Sequence, residues 1–311
     1  MTRVFFIVGP TATGKSNLAA DVAFELGAEV VSADAFQVYR GLDLLSAKPN
    51  AATFAKAPHH LIGTIPLSEE MNAEKFRRVA SPAMDEINSR GKLAIVVGGS
   101  GLYIKALTHG LARLPSLDLN LREKLNAMSL DDLRSDLAKL DPETARKIDL
   151  KNRRRLVRAV EICLLSGKPA SALVAGGVDP GNSADIRPGS SPPARGIFVF
   201  REREELYERI NQRVKSMFKC GVIEEVRAAG VTSATASQMI GLREIRELLA
   251  GKQSLTQCIA DIQQSTRRYA KRQLTWFRRQ TSFSPLNLSF LTHNEAVKRI
   301  SLRMLSEAGT R

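Results

Sequence analysis

Short apolar runs alternate with amphipathic stretches over the first third of the chain. Val4-Phe5-Phe6-Ile7-Val8, Glu29-Val30-Val31-Ser32-Ala33 and Lys92-Leu93-Ala94-Ile95-Val96-Val97 have the length and branching of core strands. Between the first two, Leu18, Val22 and Leu26 recur every four residues and Gly27 supplies a C-terminal stop, which predicts a helix. A second helix is predicted near residues 74–88, and residues 35–60 read as loop and turn with Pro49 and Pro58 as breakers. Strands alternating with helices predict an α/β fold with a parallel, helix-covered sheet.

From about Leu114 the texture turns helical. The stretches 121–128, 130–140 and 153–165 carry helical apolar spacing, and Gly167-Lys168-Pro169 ends the last. Residues 176–195, rich in Gly, Pro, Ser and Asp, predict a flexible loop. Gly196-Ile197-Phe198-Val199-Phe200 then returns to strand, so the helical segment reads as an insertion into the sheet domain. Strong helices follow at 203–218 and 256–279, with a helical pair between them and a last helix near 294–306. The expected organisation is a core of 1–113 and 196–290, a helical insertion of 114–195, and a C-terminal tail of 291–311.

The first strand runs into Gly9-Pro10-Thr11-Ala12-Thr13-Gly14-Lys15-Ser16, and the first helix follows at once. Strand, glycine loop with Lys-Ser, then helix is the context of a phosphate-cradling loop. Backbone amides and the helix N-terminus attract anionic oxygens, Lys15 adds a point charge, and the Ser16 hydroxyl is suited to Mg²⁺. The loop predicts phosphate or diphosphate binding and leaves the chemistry open.

Charge narrows the partner. The chain of 311 residues has 46 basic and 32 acidic residues, a net charge of +14, and a polyanion such as nucleic acid is the partner such an excess suits. Cys163, Cys220 and Cys258 lack metal-ligand spacing and fit thiols of a reducing cytoplasm. The N-terminal residues leave no room for a signal peptide, and no apolar run reaches membrane-spanning length.

Asp34 follows a core strand, where open α/β sheets place ligands, and is either a metal-shell residue, a general base or a solvated loop aspartate. The third strand ends in Gly98-Gly99-Ser100 rather than in the carboxylate usual for ATP hydrolysis. Gln37 has the fork that pairs with an adenine edge. Arg209 is expected to pair with Glu205 one turn earlier, which leaves Arg213 as the candidate phosphate clamp. Arg153-Arg154-Arg155-Leu156-Val157-Arg158 carries more positive charge than Glu161 can satisfy, which predicts RNA backbone contact. In the helix 256–279 the stripe Ile259, Ile262, Thr266, Tyr269, Gln273 and Trp276 reads as core, while Arg267, Arg268, Lys271, Arg272, Arg278 and Arg279 predict a nucleic-acid face. His59-His60 reads as structural.

These residues resemble the tRNA dimethylallyltransferase family. The matching pieces are the phosphate loop, Asp34 with Gln37-Val38-Tyr39-Arg40-Gly41-Leu42-Asp43, Ala47-Lys48-Pro49, Pro58-His59-His60-Leu61-Ile62 and Val97-Gly98-Gly99-Ser100-Gly101-Leu102-Tyr103. Arg158-Ala159-Val160-Glu161, Gly167-Lys168-Pro169 and the run from Arg267 to Phe277 complete them. The resemblance implies a P-loop NTPase-like core and transfer of a dimethylallyl group from dimethylallyl diphosphate to N6 of the adenine just 3′ of the tRNA anticodon. It implies Asp34 as general base and Ser100 in the place of a family threonine beside the bridging oxygen. Lys15, Ser16 with Mg²⁺, and Arg213 would neutralise the leaving group. It assigns Asp34, Ala35, Phe36, Gln37, Ser100, Arg122, Arg154, Arg155, Leu156, Val157, Arg158 and the run Gln238-Met239-Ile240-Gly241-Leu242-Arg243 to the tRNA surface.

The chain is accordingly expected to be cytoplasmic, monomeric and without an obligate protein partner. Ala35, Gly63, Leu45-Ser46, Lys151-Asn152-Arg153 and Leu242 depart from the family pattern, but none is a group assigned to chemistry. The competing readings are a P-loop kinase with ATP as donor, a non-catalytic RNA-binding protein, and a transferase acting on free adenine nucleotides.

Overall fold

Continuous apolar runs become strands covered on both faces. The computed structural model describes residues 3–112, 114–175, 194–280 and 283–309. Six strands, β1 (Val4–Val8), β2 (Glu29–Ser32), β3 (His59–His60), β4 (Ala94–Gly98), β5 (Gly196–Phe200) and β6 (Ser284–Asn287), form one parallel sheet in the order β3-β2-β4-β1-β5-β6. Phe6 pairs with Val96 on one side and with Gly196 on the other, so β1 is central and the loop it feeds is hemmed in by both neighbours.

Two strands were not foreseen. β3 is too short to show a period, and β6 contains Pro285, which reads as a breaker. An edge position tolerates that proline because one side of the strand needs no donor. The C-terminal helix His293–Gly309 is part of the core: Ala296, Val297, Ile300 and Met304 bury against Leu18 and Val22 of the helix Lys15–Leu26. Ser301 also donates to Glu25 at 2.7 Å.

The chain divides into two compact units, residues 1–108 with 193–311 and residues 109–192. The second holds helices Leu119–Ala127, Leu130–Leu140, Pro142–Lys147, Arg153–Ser166 and Ala170–Ala175, closed over Leu125, Leu133, Leu137, Leu156, Val157 and Val160. Asp118, Ser129, Asp141 and Asn152 cap four of them. Asp141 also accepts from the Ser171 amide and hydroxyl, and these bonds outweigh its burial and hold its pKa down at about 2. The predicted flexible loop, 176–195, lies outside the described residues up to 193.

Glu29, 3% exposed at the start of β2, accepts from His60 at 2.8 Å and pairs with Arg90 and Lys92 at 2.7 and 3.0 Å. This gives His60 a structural partner. Burial alone would raise the carboxyl pKa, but these three partners lower it to about 2 from the ordinary 4.5. The stabilisation is therefore full above pH 4.5 and is lost as pH falls towards 2. Glu29→Gln is expected to cost about 3 kcal/mol at pH 7, as for a buried ion cluster stripped of one member. In urea titrations the gap between variant and parent should close as pH falls below 4.5; a gap independent of pH would exclude this origin.

Candidate active site

The phosphate loop owes its shape to close approach and to carbonyls turned outward. A Cβ on Gly9 would fall 2.2 Å from the Val199 carbonyl oxygen, so only glycine lets the loop leave between β1 and β5. Gly14 caps the helix Lys15–Leu26 at φ +94°, a left-handed conformation that glycine adopts without strain. Ala12 is also left-handed, at φ +65°, which costs an L-residue about 1–2 kcal/mol.

That cost is offset from outside the loop. Arg209 Nε donates to the Ala12 carbonyl and Arg201 Nε to the Thr13 carbonyl, each at 2.9 Å. The Pro10 carbonyl accepts from the Thr13 hydroxyl at 3.0 Å and from Lys15 Nζ at 3.2 Å. With these carbonyls occupied, the amides of residues 12–16 have no acceptor among the described residues and form a concave donor set.

Arg209 therefore differs from the expected pair with Glu205. Glu205 pairs with Arg201 and accepts from Ser289, while Arg209 reaches the loop. Local helical spacing favours Glu205, but the tertiary carbonyl is the acceptor used.

Lys15 is a buried charge, and Arg213 is a half-buried one whose Nε is enclosed. Burial pushes the Lys15 ammonium down to about 8, with Asp34 opposing the shift and Arg213 adding to it. Burial likewise lowers the Arg213 guanidinium, against the attraction of Asp34, and Arg213 Nε is buried with no partner among the described residues. Two desolvated cations that repel each other across one carboxylate are arranged for an anion.

Asp34 sits just past β2. Its Oδ1 accepts from the amides of Phe36 and Gln37 at 2.9 and 3.3 Å, which fixes the carboxyl and leaves Oδ2 without a partner among the described residues. Ser100 Oγ accepts from the Ala35 amide at 2.9 Å, so the loops after β2 and β4 meet at the carboxylate. Burial and the Asp34 charge both raise the Tyr103 and Tyr269 phenols, keeping them neutral. The Tyr269 hydroxyl stands beside Ser100 and Gln273, and its hydrogen bonding with them opposes part of that rise. Helical period puts Tyr269 and Gln273 in the core stripe. Both do lie on that inward face, but it faces the site.

Gln37 differs from the expected fork for an adenine edge. It is buried, its Nε2 donates to the Ala47 carbonyl at 2.9 Å, and its Oε1 accepts from Ser32 Oγ at 3.2 Å. Both ends are thus used within the protein, Nε2 on the turn at 46–47 and Oε1 on the end of β2.

The residues assigned to RNA fall into two groups. Leu156 and Val157 are core residues of the helical unit, and Met239 and Leu242 are core residues of the sheet unit, so their side chains offer nothing to RNA. Gly241 is buried against Leu45 and Ile262, and Ile240 packs on the same cluster. Arg122 and Arg158 both bind the fully buried Glu161, at 2.7 and 2.8 Å, and Arg153 caps the carbonyls that end the helix Leu119–Ala127. Arg154, Arg155, Gln238 and Arg243 are exposed, and no side-chain partner meets Arg154 or Arg155 among the described residues.

The sheet order and loop put the chain in the P-loop NTPase-like class. Within that class, a model of the IPP transferase family matches residues 37–280. The chain is similar to tRNA dimethylallyltransferase 1 of Citrifermentans bemidjiense, with 43% identity over 88% of this chain and 89% of that one. It is 39% identical to tRNA dimethylallyltransferase of Akkermansia muciniphila over 98% and 99% of the two chains. Among solved structures it is similar to the tRNA isopentenylpyrophosphate transferase of Bacillus halodurans, with TM-score 0.69, 32% identity and coverage of 99% and 98%. It is also similar to a eukaryotic dimethylallyltransferase acting on tRNA, with TM-score 0.79, 25% identity and coverage of 99% and 80%. The chain belongs to the tRNA dimethylallyltransferase family, a family of prenyltransferases.

Competitive trace acetylation of the unliganded protein across pH should give Lys15 a midpoint near 8, below the ordinary 10.5, and inorganic pyrophosphate should move it upward. A Lys15 profile like those of exposed lysines would remove the desolvated cation from the site.

Proposed function

We propose that this protein transfers the dimethylallyl group of dimethylallyl diphosphate to N6 of the adenine immediately 3′ of the anticodon in tRNA. The observation that carries the reading is the pair of desolvated cations, Lys15 and Arg213, beside Asp34 and a run of free amides. The membership of the family and the tRNA named for its relatives support the acceptor.

In this reading the amides of residues 12–16, Lys15 and Arg213 hold the diphosphate. As N6 attacks the allylic carbon, the carbon–oxygen bond breaks and diphosphate leaves with its electron pair. Asp34 takes the proton that N6 loses, through the Oδ2 left without a partner. The charge on the leaving oxygen grows where the two cations already stand, so their attraction is stronger in the transition state than before it. The target base must leave its stack to reach the carboxylate.

The Ser16 hydroxyl, at the start of the helix Lys15–Leu26 and without a partner among the described residues, is an oxygen donor that would hold Mg²⁺. Bound there, the ion would supply further charge neutralisation to the leaving group. Arg154 and Arg155 are the arginines proposed to meet tRNA phosphates. Arg122 and Arg158, bound to Glu161, would act as a fixed cationic platform. We further propose that the protein works in the cytoplasm, as a monomer; no helix among the described residues is long and apolar enough to cross a membrane.

With Mg²⁺ and unmodified tRNA, label is expected to pass from dimethylallyl diphosphate to RNA; label passing instead from γ-labelled ATP would establish a kinase. Asp34→Asn should lower turnover at least 100-fold with tRNA affinity kept within about twofold, the usual scale for loss of a general base. Turnover equal to the parent's would relieve Asp34 of that role. Arg154→Ala with Arg155→Ala should weaken tRNA binding and lower the slope of log affinity against log salt by about 1–2. An unchanged slope would mean a merely solvated face.

A further inference from the structure

Gln273, on the helix Leu255–Gln280, is 6% exposed, stands beside the Tyr269 hydroxyl and bonds one loop with each end of its carboxamide. Its Oε1 accepts from the Thr11 amide at 2.9 Å, and its Nε2 donates to the Gly99 carbonyl at 2.8 Å. One side chain therefore joins the phosphate loop after β1 to the loop after β4.

The glycines of the second loop are shaped for this contact. A Cβ on Gly99 would fall 2.3 Å from Gln273 Nε2, and one on Gly101 would fall 2.5 Å from the Trp276 indole. Neither glycine has a positive φ, so close approach, and not backbone freedom, is what requires them. Ser100 lies between these two seats and holds the Ala35 amide next to Asp34. The Gly9 amide already donates to the Gly98 carbonyl at 3.2 Å where β1 and β4 end, and the Gln273 carboxamide extends that tie past the strands to the residues on either side of it, Thr11 and Gly99.

We propose that Gln273 is a positioning residue for prenyl transfer, setting the leaving-group cradle in register with Ser100 and Asp34. The inference rests on the reading of the cradle given above. The Thr11 amide is taken by Gln273, so the anion-binding run starts at residue 12. A misplacement of about 1 Å between reacting groups costs on the order of 100-fold in rate, so loosening this tie acts on turnover more than on RNA binding.

The test compares Gln273→Met, which keeps side-chain length and removes both bonds, with Gly99→Ala, which leaves the carboxamide in the chain and displaces it sterically. Turnover and KM for dimethylallyl diphosphate, the tRNA Kd and Tm are measured for the parent, both single variants and the double variant. Each single variant is expected to lose 10- to 100-fold in turnover with the tRNA Kd within twofold. The double variant should be no worse than the poorer single variant by more than about twofold, because both act on one tie. Turnover of Gln273→Met within twofold of the parent would overturn the inference, as would losses that multiply in the double variant. Gln273→Glu, which keeps an acceptor for Thr11 and loses the donor to Gly99, covers a Gln273→Met that fails to fold, and unchanged turnover there is equally decisive against it. A parent that binds tRNA but transfers no prenyl label would sink the functional reading and this inference together. An active parent with equally active variants would sink this inference alone.

Discussion

Two cations stand largely shielded from water beside one carboxylate, and the fold is arranged to keep them so. Among the described residues neither Lys15 nor Arg213 is neutralised by a close ion pair, and burial lowers the pKa of each. Such charges are costly to bury. They persist because backbone and helix fix them: Lys15 donates to the Pro10 carbonyl, and Arg213 rides on a helix whose Leu206, Ile210 and Val214 are sunk in the core. An anion entering there would relieve that electrostatic strain, so on the proposed reading affinity for a diphosphate rests on the same packing that gives stability.

The loop between them is held by its neighbours more than by itself. Arg201, Arg209 and Gln273 come from segments far along the chain, and each takes one backbone group of residues 11–13. These bonds decide which backbone atoms face outward and which remain for a ligand. The phosphate-loop pattern names the residues of the cradle, and the distant side chains give it its orientation.

Much of the sheet was legible because β1, β2, β4 and β5 are apolar on both faces, and the loop was legible because its residue types are demanded by its geometry. β3 and β6 left no period to read. The site's supporting residues were harder. Helical spacing showed that Tyr269 and Gln273 face inward, but a period cannot say that the inward neighbour is Ser100 or the Thr11 amide. The Arg209–Glu205 pair followed a sound local rule and lost to a carbonyl brought near only by tertiary folding. Leu156, Val157, Met239 and Leu242 show the converse: motif membership placed them on RNA, whereas their apolar character already spoke for the core.

The position of the last helix, His293–Gly309, has a consequence for how the molecule is made. It covers the helix that follows the phosphate loop, and β5 and β6, which complete the sheet beside β1, are also late in the chain. β1 and the phosphate loop are thus completed by residues about 190 to 300 positions further along the chain. Contacts of such long sequence separation close slowly. Until they close, Leu18 and Val22 lack part of their cover, and removal of the helix His293–Gly309 would leave an exposed apolar stripe on the helix that follows the phosphate loop.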